Sequence, residues 1–134
     1  MDDRTRVRLL KLLLRIAGIA MLPAFLTMLM PVEWMAGVHR WAGLGELPRA
    51  PVVQYLSRSI AALYGFHGVL VLIVSTDPQK YRAIVTYAAI MNVTFGLMMV
   101  AIDLHAAMPP LWTVVEGPPI ILFGIVLGWL NRRG

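Results

Sequence analysis

The stretch VVEGPPIILFGIV, residues 114–126, lies inside a long apolar run near the end of the chain. The run extends from roughly residue 110 to 130, and about 20 helical residues suffice to cross the ~30 Å hydrocarbon core of a bilayer. Glu116 introduces a charge there, and Pro118 and Pro119 cannot donate backbone hydrogen bonds. The stretch therefore predicts a membrane-spanning helix with an unusual polar feature inside it.

Three further apolar segments cover roughly residues 12–30, 56–75 and 83–102. Of the 134 residues, 59% are apolar and only 14% are charged, and the mean hydropathy is +0.73. A soluble domain of this size could not bury so much apolar surface, and no segment shows the period-two alternation of a membrane β-strand. We predict an all-α integral membrane protein whose single domain, residues 1–134, is a four-helix bundle of transmembrane helices.

The basic residues indicate how the chain is oriented. Nine of the twelve would lie on one side of the membrane. These are Arg4, Arg6, Arg8, Lys11, Arg15, Lys80, Arg82, Arg132 and Arg133. The other side holds only Arg40, Arg49 and Arg58. The positive-inside rule then predicts a multi-pass protein of the cell membrane (the cell inner membrane) with both termini cytoplasmic. The net charge of +5 is explained by lipid contacts, so nucleic acid is not an expected partner.

The first span could also be read as a signal peptide, because a basic segment precedes its apolar run. No A-x-A-like cleavage site follows, which favours a retained helix. Pro23 lies inside this span and frees the carbonyl of Ile19, so a bend is expected there.

The only long loop, residues 31–55, contains PVEWMAGVHRWAGLG at residues 31–45. Pro31 and Gly45 are typical of a helix start and of the position just past a helix end, so a short external helix is predicted. Trp34, Val38 and Trp41 share one face, which favours an aromatic anchor lying in the membrane interface. The alternative is a lid over a cavity between the spans.

Four polar residues stand within spans two to four and cannot easily reach water: His67, Asn92, Asp103 and Glu116. Ionisable residues inside a membrane are costly, so each is a candidate for function. Asn92 and Asp103 fall on one helical stripe of span three, which leaves Thr94 on the opposite side. Tyr64 lies three residues before His67 and shares its face.

We predict that Glu116, Asp103, His67, Tyr64 and Asn92 form a ligand-binding pocket between spans two, three and four that opens outward. The structural alternative is that these side chains only join helices, which small residues such as Gly65, Gly68 and Gly124 allow to pack closely.

The two prolines predict a local irregularity in span four. Residues 118–130 would span only about 20 Å, so the helix must begin before them. We expect it to be broken or kinked at residues 116–119, with Glu116 just before the renewed helix. Irregular backbone at membrane depth is tolerated where it is buried or lines a wet cavity, so a polar notch in the external half is expected.

Specific chemistries find little support. With no cysteine, thiol catalysis, disulfides and iron–sulfur clusters are excluded. Asp103 and His105 are two residues apart and do not share a helix face, so no metal site is predicted. Haem between two spans would need two histidines at matched depth, and only His67 lies in a span; no cofactor is expected.

The sequence therefore favours a non-enzymatic membrane protein that binds a small lipid- or quinone-like amphiphile, or that docks on a membrane-protein partner. One alternative is a membrane-embedded acid–base enzyme acting on a lipid-like substrate. Another is a proton-coupled carrier, for which four spans would suffice only in a homo-oligomer.

The predicted orientation is tested by cysteine labelling. Gly43→Cys should react with a membrane-impermeant thiol reagent on intact cells, and Gln79→Cys should react only after lysis. Labelling of Gln79→Cys but not of Gly43→Cys would reverse the topology.

Overall fold

The computed structural model describes residues 2–132, and they are almost entirely helical. Of these described residues, 81% are in helices and none is in a strand. The helices are α1 (Asp3–Met21), α2 (Ala24–Leu29), α3 (Val32–Trp41), α4 (Pro51–Thr76), α5 (Arg82–His105) and α6 (Pro110–Leu130). Four helical stretches are long and apolar enough to cross a membrane: Asp3–Leu29, Pro51–Thr76, Arg82–His105 and Pro110–Leu130. The predicted fold class, an all-α protein with four apolar spans, is confirmed.

The chain divides into two compact units, Arg15–Ile73 and the residues before and after that range. The first unit contains the end of α1, then α2 and α3, and most of α4. The second contains the start of α1, the end of α4, and α5 and α6. The prediction of a single domain stays a prediction.

In the unit Arg15–Ile73, Pro23 interrupts the first span. Helix α1 ends at Met21 and α2 begins at Ala24. The Ile19 carbonyl, which would have bonded the missing N–H of Pro23, instead accepts from the N–H of Leu22 at 3.2 Å. The expected bend is thus a break between two helices.

The C-terminal part of α1 packs closely on α4. A Cβ added at Gly18 would lie 3.0 Å from the carbonyl oxygen of Gly68, so the two backbones are nearly in contact. Further along, the ring of Phe25 covers Gly65 and meets Phe66 edge-on with 5.2 Å between centroids. Small residues therefore set the spacing here, as is usual between helices in lipid.

Helix α3 confirms the short helix predicted in the long loop, but Gly43 rather than Gly45 lies just past its end. It begins after Pro31 and ends at Trp41, and the chain then turns through Gly43 and Gly45, whose φ angles of +76° and +80° favour glycine. Trp34, Val38 and Trp41 are all exposed. One face of α3 is thus apolar and uncovered within its unit, and its placement in the membrane interface stays a prediction.

Arg58 has a defined structural role at the end of α2. Its guanidinium donates to the carbonyl of Met28 and, at 3.0 Å, to the carbonyl of Met30. The last carbonyls of a helix lack internal donors and carry the negative end of its dipole, which a cation stabilises. Arg58 therefore caps α2.

In the second unit, α5 and α6 pack antiparallel along a seam that we call the α5–α6 seam. A Cβ added at Gly96 would lie 2.9 Å from the Gly117 carbonyl oxygen, and one at Gly124 would lie 2.7 Å from that of Ala89. The seam residues of α5 are Arg82, Thr86, Ala89, Val93, Gly96 and Val100. Steps of four and three residues alternate along this list, which is the period of two helices packed along their length.

Helix α6 differs from the prediction. It is one uninterrupted α-helix, so the expected break at residues 116–119 is wrong, and Glu116 lies in its interior rather than before a renewed helix. The alternative of a kink at these residues stays a prediction. Proline φ is compatible with a helix, and what Pro118 and Pro119 remove is hydrogen-bond donation to the preceding turn. Both prolines are exposed, whereas Gly117 is buried in the seam. Packing on that side holds the helix together while the prolines face away from α5.

The seam is tested by two matched substitutions on α6. Gly124→Ala would place its methyl group against backbone atoms of Ala89 and Val93, which cannot move aside. The free energy of unfolding in detergent should therefore fall by about 1–3 kcal/mol. In Gly128→Ala the new methyl group meets only the Ala89 side chain, at an ordinary 3.5 Å. That control should change the unfolding free energy by less than about 1 kcal/mol. Equal effects of the two substitutions would contradict the seam.

Candidate functional site

Asp103 lies at the end of α5 that adjoins the α5–α6 connection, which we call the loop end. Asp103 is only 3% exposed. It follows Gly96 by seven residues and therefore continues the face of α5 that packs on α6. Its Oδ2 atom has no hydrogen-bond partner within residues 2–132. A buried carboxylate oxygen without a donor is uncommon in native proteins and calls for an explanation.

Glu116 is half-buried one to two turns into α6, and its carboxylate has a partner on the same helix. The indole Nε1 of Trp112 donates to Oε2 of Glu116 at 2.7 Å. The sequence reasoning missed Trp112, although its i, i+4 spacing from Glu116 places both on one helix face. The bond orients the carboxylate and leaves its second oxygen able to accept another donor.

Asn92 is held by its own helix. Its side-chain amide donates to the carbonyl of Ala88 at 2.7 Å, which is the bond that polar side chains often form one turn back along a helix. Thr94 is exposed and Asp103 is buried, so the predicted orientation of this stripe is confirmed.

Tyr64 and His67 belong to the other compact unit. They lie three residues apart on α4, where Tyr64 is 41% exposed and His67 is half-buried. The prediction that they share one pocket with Asn92, Asp103 and Glu116 stays a prediction. Within the second unit, Asp103 and Glu116 both lie toward the loop end, whereas Asn92 lies near the middle of α5.

The opposite end of the α5–α6 seam, which we call the basic end, carries a polar network that the sequence reasoning did not find. Arg82 donates through Nη2 to the carbonyl of Asn131 at 2.5 Å. The Asn131 amide donates in return to the Arg82 carbonyl at 3.3 Å and to the Thr86 hydroxyl at 2.9 Å. These three residues and Arg132 line an open cavity of about 480 Å³. Arg82 looked only like a charge that marks topology, and Asn131 lies beyond the predicted span.

No cluster of three or more histidine and carboxylate side chains that could hold a metal ion occurs in the described part of the chain. Comparison with known protein families, with curated proteins and with solved structures gives no match.

The Trp112–Glu116 contact can be tested by substitution. Glu116→Gln keeps an acceptor oxygen for the indole and should unfold in detergent nearly as the parent does. Glu116→Leu leaves the indole N–H without its partner, and the loss of unfolding free energy should be about 1–3 kcal/mol.

Trp112→Phe serves as the second arm of a double-mutant cycle with Glu116→Leu. Because both changes remove the same bond, the double variant should lose less than the sum of the two single losses. Strictly additive losses would show that the two side chains do not interact.

Proposed function

We propose that this is a non-enzymatic protein of the cell membrane, the inner membrane where there are two, with both termini cytoplasmic. It binds a small lipid- or quinone-like amphiphile at the loop end of the α5–α6 seam. The four apolar spans support a multi-pass membrane protein, and the distribution of basic residues supports the orientation.

The observation that carries the proposal is the buried carboxylate of Asp103. Leaving a buried acceptor unpaired costs about 1–3 kcal/mol, and more for a charged group. A ligand hydroxyl or ammonium group that donates to Oδ2 would remove this penalty on binding. Glu116 offers a second acceptor further along α6, already oriented by Trp112. Asp103 and Glu116 accept hydrogen bonds when ionised, so they favour a ligand that donates.

The surroundings favour an amphiphile over a water-soluble ligand. Leu104, Leu111, Val114 and Val115 surround the two carboxylates in sequence and are all exposed within the chain. A ligand bound here would therefore place its donor group on the carboxylates and its apolar part along these side chains. The reduced form of a quinone-like molecule has both parts, since it carries hydroxyl donors on its ring and an apolar tail.

A matched pair of ligands tests the proposal. Purified protein in detergent is titrated with an alkyl-hydroquinone and, separately, with its dimethyl ether, which has the same shape but no hydroxyl donor. The hydroquinone should raise the thermal unfolding temperature and the ether should not. Asp103→Asn keeps the volume but replaces the charged acceptor, so binding should weaken about tenfold.

Thr94→Val, on the exposed side of α5, is the control and should bind as the parent does. Equal stabilisation by hydroquinone and ether would contradict the proposal, as would undiminished binding in Asp103→Leu. A third outcome is that the parent protein binds neither ligand but forms an oligomer, and that Asp103→Leu dissociates this oligomer. The proposal would then be wrong, and the hydrogen-bond donor to Asp103 would come from a second copy of the chain.

A further inference from the structure

The cavity at the basic end has a composition opposite to that of the loop end. Its charged lining consists of two arginines, Arg82 and Arg132. Neither forms an ion pair with a carboxylate among residues 2–132. Unpaired guanidinium groups that line a cavity are the usual means of recognising phosphate and carboxylate groups.

The neutral polar groups of the cavity are already used by one another. The Asn131 amide donates to Thr86 and to the Arg82 carbonyl, and the Thr86 hydroxyl donates to the same carbonyl at 3.0 Å. Arg82 gives one of its five N–H donors to the Asn131 carbonyl. The cavity can therefore donate hydrogen bonds to a ligand through the remaining guanidinium N–H groups of Arg82 and through those of Arg132.

The helix ends do not oppose an anion at this place. The N-terminus of α5, which favours anions, begins at Arg82, and the C-terminus of α6, which disfavours them, ends beside it at Leu130. These contributions have opposite signs, and the bond from Arg82 to Asn131 satisfies one of the carbonyls just past α6. The two guanidinium charges therefore determine the sign of the field in the cavity.

The rest of the lining is apolar. Ala89, Ile90 and Gly128 complete the cavity, and Ile90 is 63% exposed. Gly128 has no side chain, and a Cβ there would meet only Ala89. A ligand whose charged group is bound by the arginines would thus have an apolar surface beside it, which we call the apolar groove of the cavity.

The geometry points to a binding site for the phosphate group of an anionic, lipid-like amphiphile, with the phosphate on Arg82 and Arg132 and a hydrocarbon chain along Ile90 and Gly128. Basic pockets between transmembrane helices recognise lipid headgroups by the same chemistry. This site is independent of the one at the loop end, because it donates hydrogen bonds where Asp103 and Glu116 accept them.

Native mass spectrometry of the detergent-solubilised protein tests the site. The protein is titrated with phosphatidylglycerol and, in parallel, with zwitterionic phosphatidylcholine. The parent should retain phosphatidylglycerol selectively. One juxtamembrane charge changes lipid binding about fivefold, so Arg132→Gln should weaken it by that factor and Arg82→Gln with Arg132→Gln by about thirtyfold.

Lys80→Gln is the matched control, because it removes a charge two residues from Arg82 that does not line the cavity. Arg132 is exposed, and its side chain forms no hydrogen bond with the described residues, so Arg132→Gln should fold as the parent does even if the double variant does not. Inorganic phosphate alone should compete only weakly, since it has no chain for the groove.

Equal losses in Arg132→Gln and Lys80→Gln would overturn the site. Displacement of the lipid by inorganic phosphate at equal concentration would contradict the claim that the ligand is an amphiphile. The cavity would then be a site for free phosphate.

Discussion

The near contact between the backbones of α5 and α6 is the constraint on which the rest of the second unit depends. Gly96 and Gly117 face each other, and Gly124 lies against the backbone of Ala89 and Val93. In lipid the hydrophobic effect does not drive helices together, so close van der Waals packing must hold them. Glycine allows that packing because it removes the side chain that would separate the two helices.

The α5–α6 seam also places the polar groups. Arg82 and Asp103 stand at its two ends on the same face of α5, twenty-one residues apart, which corresponds to about 32 Å along a helix. This matches the ~30 Å thickness of the hydrocarbon core. One end of the seam therefore carries arginines and the other carries carboxyl side chains, about one hydrocarbon thickness apart. Asp103 is buried by protein, so its carboxyl group does not face lipid.

The sequence predicted features that depend on local chemistry. The four spans follow from apolar runs, the break near Pro23 from the missing N–H, and α3 from Pro31 at its start. The burial of Asp103 and the exposure of Thr94 follow from helical periodicity.

The continuity of α6 could not be predicted in the same way. Two consecutive prolines weaken a helix locally, but packing of Gly117 and Gly124 on α5 acts over its whole length, and a sequence read segment by segment does not contain that contact. The network of Arg82, Thr86 and Asn131 was missed for a similar reason, since it joins residues 45 to 49 positions apart. The bond between Trp112 and Glu116 joins two residues on one helix face, but a shared face alone does not determine that the two side chains meet.

The most direct measurement of this arrangement is disulfide formation across the seam. The chain has no cysteine, and a Cβ at Gly128 would lie 3.5 Å from that of Ala89, within the range that a disulfide requires. Ala89→Cys combined with Gly128→Cys should therefore oxidise within one chain in native membranes. Thr94→Cys combined with Gly128→Cys, with the first residue on the exposed side of α5, should not. Absence of the bond in the first pair, or equal oxidation of both pairs, would contradict the packing of α5 on α6.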